Sequence, residues 1–202
     1  MGLPAQQKKY SVTEYLELER ASEERYEYLD GDILLMAGES REHADISSNV
    51  LREIGNQIKG TSCRAWTKDM KVRSGSTPGS VATTKGLYSH PDIVVVCGEP
   101  EFYDEYTDVL INPKLIVEML SPSTEAFDRG VKFWRYLSWN PTLTDYLVIA
   151  QNETFIEHFV RQANDSWAIA ATYSHLDQNL MIASLGINLP MHEIYDRVVF
   201  ND

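Results

Sequence analysis

The sequence predicts a mixed α/β fold, and three observations carry that prediction. Two short apolar runs, Ile93–Val96 and Leu115–Leu120, are rich in β-branched residues and read as strands buried on both faces. Between Arg41 and Lys59, Ile46, Val50, Leu51, Ile54 and Ile58 recur at helical spacing. From Asp145 onward the pattern is β: Asp145–Ala150, Thr154–Arg161 and Trp167–Tyr173 form a meander with turns at 151–153 and 163–165.

The remaining elements follow from local chemistry. Ser11 followed by Glu14 is a capping box that opens a helix over Val12–Glu19. Asp30-Gly31 between RYEYL and DILLM is a hairpin turn, because both central positions tolerate positive φ. Gly60 stops the 41–59 helix. Cys63–Thr67 and Met70–Arg73 read as strands about Lys68-Asp69, and the Gly/Ser/Thr/Pro-rich stretch Ser74–Lys85 as a surface loop or flap. The acidic stretch from Glu99 to Asp108 reads as a solvated connection. Ser121 or Ser123, with Pro122 in the first turn, caps a helix whose packing face is Phe127, Val131, Trp134 and Leu137 or Ser138. Asp128, Lys132 and Tyr136 lie on a neighbouring stripe. Leu180–Ala183 and Ile187–Leu189 are short strands, and Met191–Tyr195 is a final helical turn. Residues 1–9 are expected to be a flexible lead-in to a single domain over 10–202.

Composition narrows the function. Eighteen Lys and Arg stand against thirty Asp and Glu, a net charge of −12. That disfavours sequence-independent binding of nucleic acid, which depends on cationic side chains, but leaves room for a local basic groove. No apolar run is long enough for a membrane span, and neither a signal peptide nor a myristoylation site is expected at the N-terminus. Cys63 and Cys97 have no metal-ligand spacing and read as two small buried thiols, which points to a reducing, cytoplasmic setting. Nucleotide-binding glycine loops, HExxH and a glycine-framed nucleophile serine are missing from the sequence.

The chemistry gathers on the two apolar strands. Asp92 opens the first, and Glu118 lies inside the second on the same face as Ile116 and Leu120. A buried carboxylate costs several kcal/mol, so a cation, a metal or a proton must compensate it. With Glu27 of the hairpin, these residues form a candidate set of hard oxygen ligands suited to Mg2+ or Mn2+. Spacing alone is weak evidence for such a site. His43, on the inward stripe of its helix, is most simply a hydrogen-bonded core residue. Asp69 reads as structural.

The strings PDIVVVCGEPEF and LINPKLIVEMLSPSTEAFDRGVKFWRY resemble the Uma-two family, described as putative restriction endonucleases of the PD-(D/E)xK nuclease superfamily. RYEYLDGDI, EHADISSNVLREIGNQI, KDMKVR, DYLVIAQ and LPMHEIYDRVVF extend the resemblance over roughly residues 10–200. It implies a restriction-endonuclease-like core, a central mixed sheet flanked by helices, with the meander added toward the C-terminus. It also implies Asp92 and Glu118 as metal ligands, the Met119 carbonyl and Glu27 as further ligands, and Mg2+ or Mn2+ as cofactor. The implied activity is cleavage of DNA by a cytoplasmic protein, as a homodimer. The sequence departs from the motif at Leu120, where a lysine belongs. Lys132 on the following helix is the candidate for a migrated catalytic lysine, with a solvent salt bridge to Asp128 as its plain alternative. Tyr136 is placed to support it, and the resemblance adds His43 as a catalytic candidate. A nuclease fold kept only for binding or regulation, and hydrolysis of RNA or a nucleotide, are the competing readings.

Overall fold

The computed structural model describes residues 8–36, 38–75, 85–121 and 125–200. The expected loop falls mostly on 76–84, and the Pro122 and Ser123 cap on 122–124, outside the described residues. So does most of the expected lead-in.

Helix α1 (Val12–Ala21) starts at the expected capping box: the Ser11 side chain accepts the Glu14 amide and the Glu14 carboxylate accepts the Ser11 amide. Strands β1 (Tyr26–Leu29) and β2 (Asp32–Leu35) form the hairpin, with Asp30 and Gly31 at φ 47° and 93°. Helix α2 (Arg41–Ile58) is capped by Ser40. There follow β3 (Cys63–Thr67), β4 (Lys71–Ser74), β5 (Leu87–Ser89), β6 (Ile93–Cys97), β7 (Val109–Leu110) and β8 (Leu115–Leu120). A short α3 (Glu125–Phe127) runs through a widened turn, Asp128–Lys132, into α4 (Phe133–Trp139). The meander β9 (Asp145–Ala150), β10 (Ile156–Arg161) and β11 (Trp167–Tyr173), the hairpin β12 (Asn179–Ile182) and β13 (Ile187–Pro190), and α5 (Met191–Ile194) complete the described elements.

A mixed six-stranded sheet, ordered β11-β10-β9-β8-β6-β3, lies at the centre. The meander is one wing of this sheet rather than an addition to it. Only β8 and β9 pair in parallel here; β6 runs antiparallel to β8. On one face α2 buries Ile46, Val50, Ile54 and Ile58 against Val95, Val117 and Leu147, with the β12–β13 hairpin and α5 alongside. On the other face Val94, Ile116 and Val148 meet α4 and a second sheet, ordered β2-β1-β5-β4-β7. Helix α1 covers the far side of that sheet by packing Tyr15 and Leu16 on Tyr28 and Tyr88.

Three expectations need correction. Cys63 and Cys97 are not thiols: they face each other across β3 and β6 and form a disulfide. Sequence spacing could not reveal this, because antiparallel pairing brings the two residues into register. The acidic stretch is solvated only in part: Glu99, Glu101 and Glu105 are exposed, but its two aspartates are not. Asp104 and Asp108 lie 2.8 and 2.7 Å from the Arg20 guanidinium, and Asp108 and Glu19 both pair with buried Lys71. On the helix after β8, the expected packing face holds only in part: Leu137 and Phe127 join the core. Val131 and Trp134 are exposed, whereas Asp128, Lys132 and Tyr136 are buried. Gly130, at φ −100° and ψ −112°, kinks the chain within the widened turn, so the 3.6-residue count does not carry across it.

The disulfide closes a sequence separation of 34 residues. The unreduced, denatured protein should therefore release no thiol to Ellman's reagent. Replacing both cysteines by serine should cost about 3–4 kcal/mol in urea unfolding. Two titratable thiols before reduction would contradict the pairing.

Candidate metal and catalytic site

The two sheets meet over a cleft of about 600 Å3, whose walls include Glu27, His43, Asp92, Glu118, Asp128 and Lys132. Each reaches it for a local reason. In β1, Tyr28 faces α1, so the alternation turns Glu27 toward the central sheet. In β8, Leu115, Val117 and Met119 pack under α2, so Glu118 faces the opposite side with Ile116 and Leu120. Asp92 ends the three-residue passage by which the chain leaves β5 in one sheet and enters β6 in the other. Lys132 comes from the widened turn.

Lys132 is the hub. Its Nζ lies 3.0 Å from Glu27 Oε1, 3.0 Å from Glu118 Oε1 and 3.4 Å from Asp128 Oδ1, and only 4% of the residue is exposed. The solvent salt bridge with Asp128 is thus replaced by a buried cluster. Burial works against the lysine's charge, but Glu118, Glu27 and Asp128 outweigh it and hold its pKa well above the ordinary value. Lys132 is a fixed cation. For Glu118, burial is the largest influence and drives its pKa up; Lys132 opposes this, while Asp128, Asp92 and Glu27 add to it. The Tyr136 side chain is fully buried, and its hydroxyl bonds Ser89 Oγ at 2.6 Å.

Asp92 is held at both oxygens. Oδ2 accepts the Met119 amide at 2.7 Å and Oδ1 lies 2.7 Å from His43 Nε2. Glu27 Oε1 accepts the His90 amide at 3.2 Å. The structure therefore brings together Glu27, His43, Asp92, Glu118, Met119 and Lys132, every site residue expected from the sequence. Asp69 lies apart, paired with Arg25. Three residues were missed. Asp128 had been read as a surface partner, His90 had drawn no role, and Glu39 escaped notice although it lies four residues before His43 across the Ser40 cap. That i,i+4 spacing was the available signal.

Do these residues suit a divalent metal? Glu27, Glu118 and Asp128 share one lysine and Asp92 pairs with His43, so the carboxylates outnumber the cationic side chains that face them. Glu118 Oε1 is fully buried and, although close to Lys132, has no directed hydrogen bond. Hard oxygens with unspent acceptor capacity and surplus negative charge fit Mg2+ or Mn2+.

Comparisons with known proteins bear on the family and the fold. The family model Uma2, described as "Putative restriction endonuclease", matches residues 12–192. The chain belongs to this family. The uncharacterized protein slr1290 of Synechocystis sp. is 33% identical over 192 residues, covering 95% of this chain and 94% of the relative. A second from that organism, sll1609, is 30% identical over 169 residues, covering 84% and 90%. The crystal structure of "a putative nuclease belonging to DUF820" from Anabaena variabilis superposes with a TM-score of 0.73 at 18% identity, over 94% of this chain and 99% of that one. The fold is thus that of a nuclease-like protein. Among the described residues no helix is long and apolar enough to cross a membrane.

His43 supplies a pH test. Burial lowers its pKa, but Asp92 and then Glu39 outweigh that, and the net shift is upward. A raised folded pKa stabilises the fold fully below the ordinary histidine value of about 6.5. That contribution is lost as pH rises through the folded pKa. Urea unfolding in EDTA from about pH 6 to about pH 9 should show wild-type stability falling relative to His43→Gln. Parallel curves would remove the His43–Asp92 ion pair.

Proposed function

We propose that the chain is an endonuclease of the PD-(D/E)xK type that uses Mg2+ or Mn2+ to hydrolyse DNA phosphodiester bonds. One observation carries the reading. Glu27, Asp92, Glu118 and Lys132, from four separate segments and two sheets, converge on one cleft with Lys132 3.0 Å from both glutamates. Asp92, Glu118, Glu27 and the Met119 carbonyl would hold the ion. When bound, it would polarise the scissile phosphate and make an attacking water more acidic.

The chain's own residues do the rest. The Met119 amide and His43 fix the rotamer of Asp92, so the ligand is positioned before any ion arrives. Lys132 stays protonated, so it acts on the phosphate's developing negative charge and is no proton acceptor. Apolar Leu34, Met36 and Phe127 also line the cleft. A cleft so rich in carboxylates repels a polyanion until cations load it, so the reading requires DNA binding to depend on metal. It also takes the assembly to be a homodimer addressing both strands, with a symmetric pair the commonest arrangement; the cysteines, joined in a disulfide, no longer argue for a reducing cytoplasmic setting.

The full pairing of Lys132 by three carboxylates favours a second reading, a nuclease fold retained for binding or regulation. Incubation of plasmid DNA with Mg2+ or Mn2+ separates the two. Nicking or linearisation is expected, abolished in Asp92→Ala and Glu118→Ala and reduced about 100- to 1,000-fold in Lys132→Met. No cleavage with either ion, in folded protein that also fails to bind it by calorimetry, would sink the nuclease reading. RNA and nucleotide phosphoesters in the same assay test the substrate class.

A further inference from the structure

We propose that Glu39, His43 and Asp92 form a second cation subsite, one that prefers a transition ion accepting nitrogen, such as Zn2+, over Mg2+. The inference rests on the metal role of Asp92 proposed above, but not on DNA cleavage.

The geometry comes first. One ligand atom from each of the three residues lies within 4.8 Å of the other two. His43 Nε2 is 3.5 Å from Glu39 Oε1 and 2.7 Å from Asp92 Oδ1. Ligands bound at about 2.0–2.2 Å with right-angled to tetrahedral geometry lie roughly 3–3.5 Å apart. The Glu39–His43 contact already meets this, and the His43–Asp92 contact has to open only slightly.

The supports are built in. Ser40 caps α2 and accepts the His43 amide at 3.1 Å, fixing Glu39 and His43 on either side of the cap. The Met119 amide holds the far oxygen of Asp92, an outer partner of the kind that orients metal-ligating carboxylates. Lys68 pairs with Glu39 at the cleft edge and is exposed enough to swing into solvent when an ion takes its place. The three residues line the same cleft as Glu118, whose buried Oε1 lacks a directed hydrogen bond, so both subsites open into one polar chamber.

Donor type then gives the selectivity. Imidazole nitrogen is a poor ligand for Mg2+, which seeks oxygen, and a good one for Zn2+. Asp92 then belongs to two sites of unlike preference, the all-oxygen one with Glu118 and the nitrogen-bearing one with His43.

Titration calorimetry with Zn2+ and, separately, with Mg2+ tests this, together with diffraction at the zinc edge from crystals soaked in Zn2+. Zn2+ should bind wild type with an anomalous peak in contact with His43 Nε2. Its affinity should fall at least about tenfold in both Glu39→Gln and His43→Asn, and Mg2+ affinity should change far less in Glu39→Gln. Glu39 lies at the rim, so that variant keeps the test open should His43→Asn fail to fold. Unchanged Zn2+ affinity in Glu39→Gln, or a peak on Glu118 and Asp92 clear of His43, would overturn the proposal. Zn2+ binding that depends on Glu39 and His43 in a protein that cuts no DNA upholds this subsite while removing the nuclease reading.

Discussion

Between the two sheets sits a single cation, Lys132, with Glu27 on one side and Glu118 on the other, and much of the architecture follows from that arrangement. Each glutamate is buried on its own strand, and neither could be ionised there without a counter-charge. Removing one partner from such a buried group strands the others, typically at about 3–5 kcal/mol. The cluster therefore ties β1 of one sheet to β8 of the other through a side chain that belongs to neither. Apolar contacts surround it, among them Val94, Ile116, Tyr136, Leu87 and Leu110, whereas the charge contact joins three named side chains.

The sequence disclosed the elements well because their signals are local. A capping box, an Asp-Gly turn, a helical stripe and β-branched runs each act within a few residues. The ends of β3, β9 and β11 agree with the expected ranges to the residue. What it concealed depends on register between distant strands. The disulfide needs β3 paired with β6, and the partition of β5 and β6 into different sheets depends on the turn through Ser89–Asp92. The inward stripe after β8 was misjudged for a different reason. Charged residues read as solvated unless their counter-charges are known, and here those arrive from residues far away in sequence, beyond a kink that breaks the helical count.

Most of the site itself was legible, but unevenly. Asp92 and Glu118 stand out as carboxylates on apolar strands, a local contradiction that demands an explanation. Glu27 was a weaker member of the same carboxylate set, and Lys132 gained its place only through family resemblance. Glu39 was invisible because a glutamate beside a helix cap is an ordinary residue until Asp92 comes up beneath it. The acidic stretch shows the same limit: Asp104 and Asp108 look like free surface charge, and the structure spends both on Arg20. Net charge counted along the chain thus overstates how acidic the accessible surface is.

The widened turn at Gly130 has a consequence for how such sites diversify. On the nuclease reading, what a phosphate would meet is a positive charge at a point in space, and that point can be reached from a strand or from a helix laid over it. Once a kinked turn can deliver the ammonium, the strand position beside Glu118 is released to hydrophobic packing, and Leu120 occupies it in the core. The spacing of a motif in the linear sequence is then an accident of descent. Relatives that have lost the motif lysine are better sought by asking which neighbouring element can project a long cationic side chain into the same cubic ångströms.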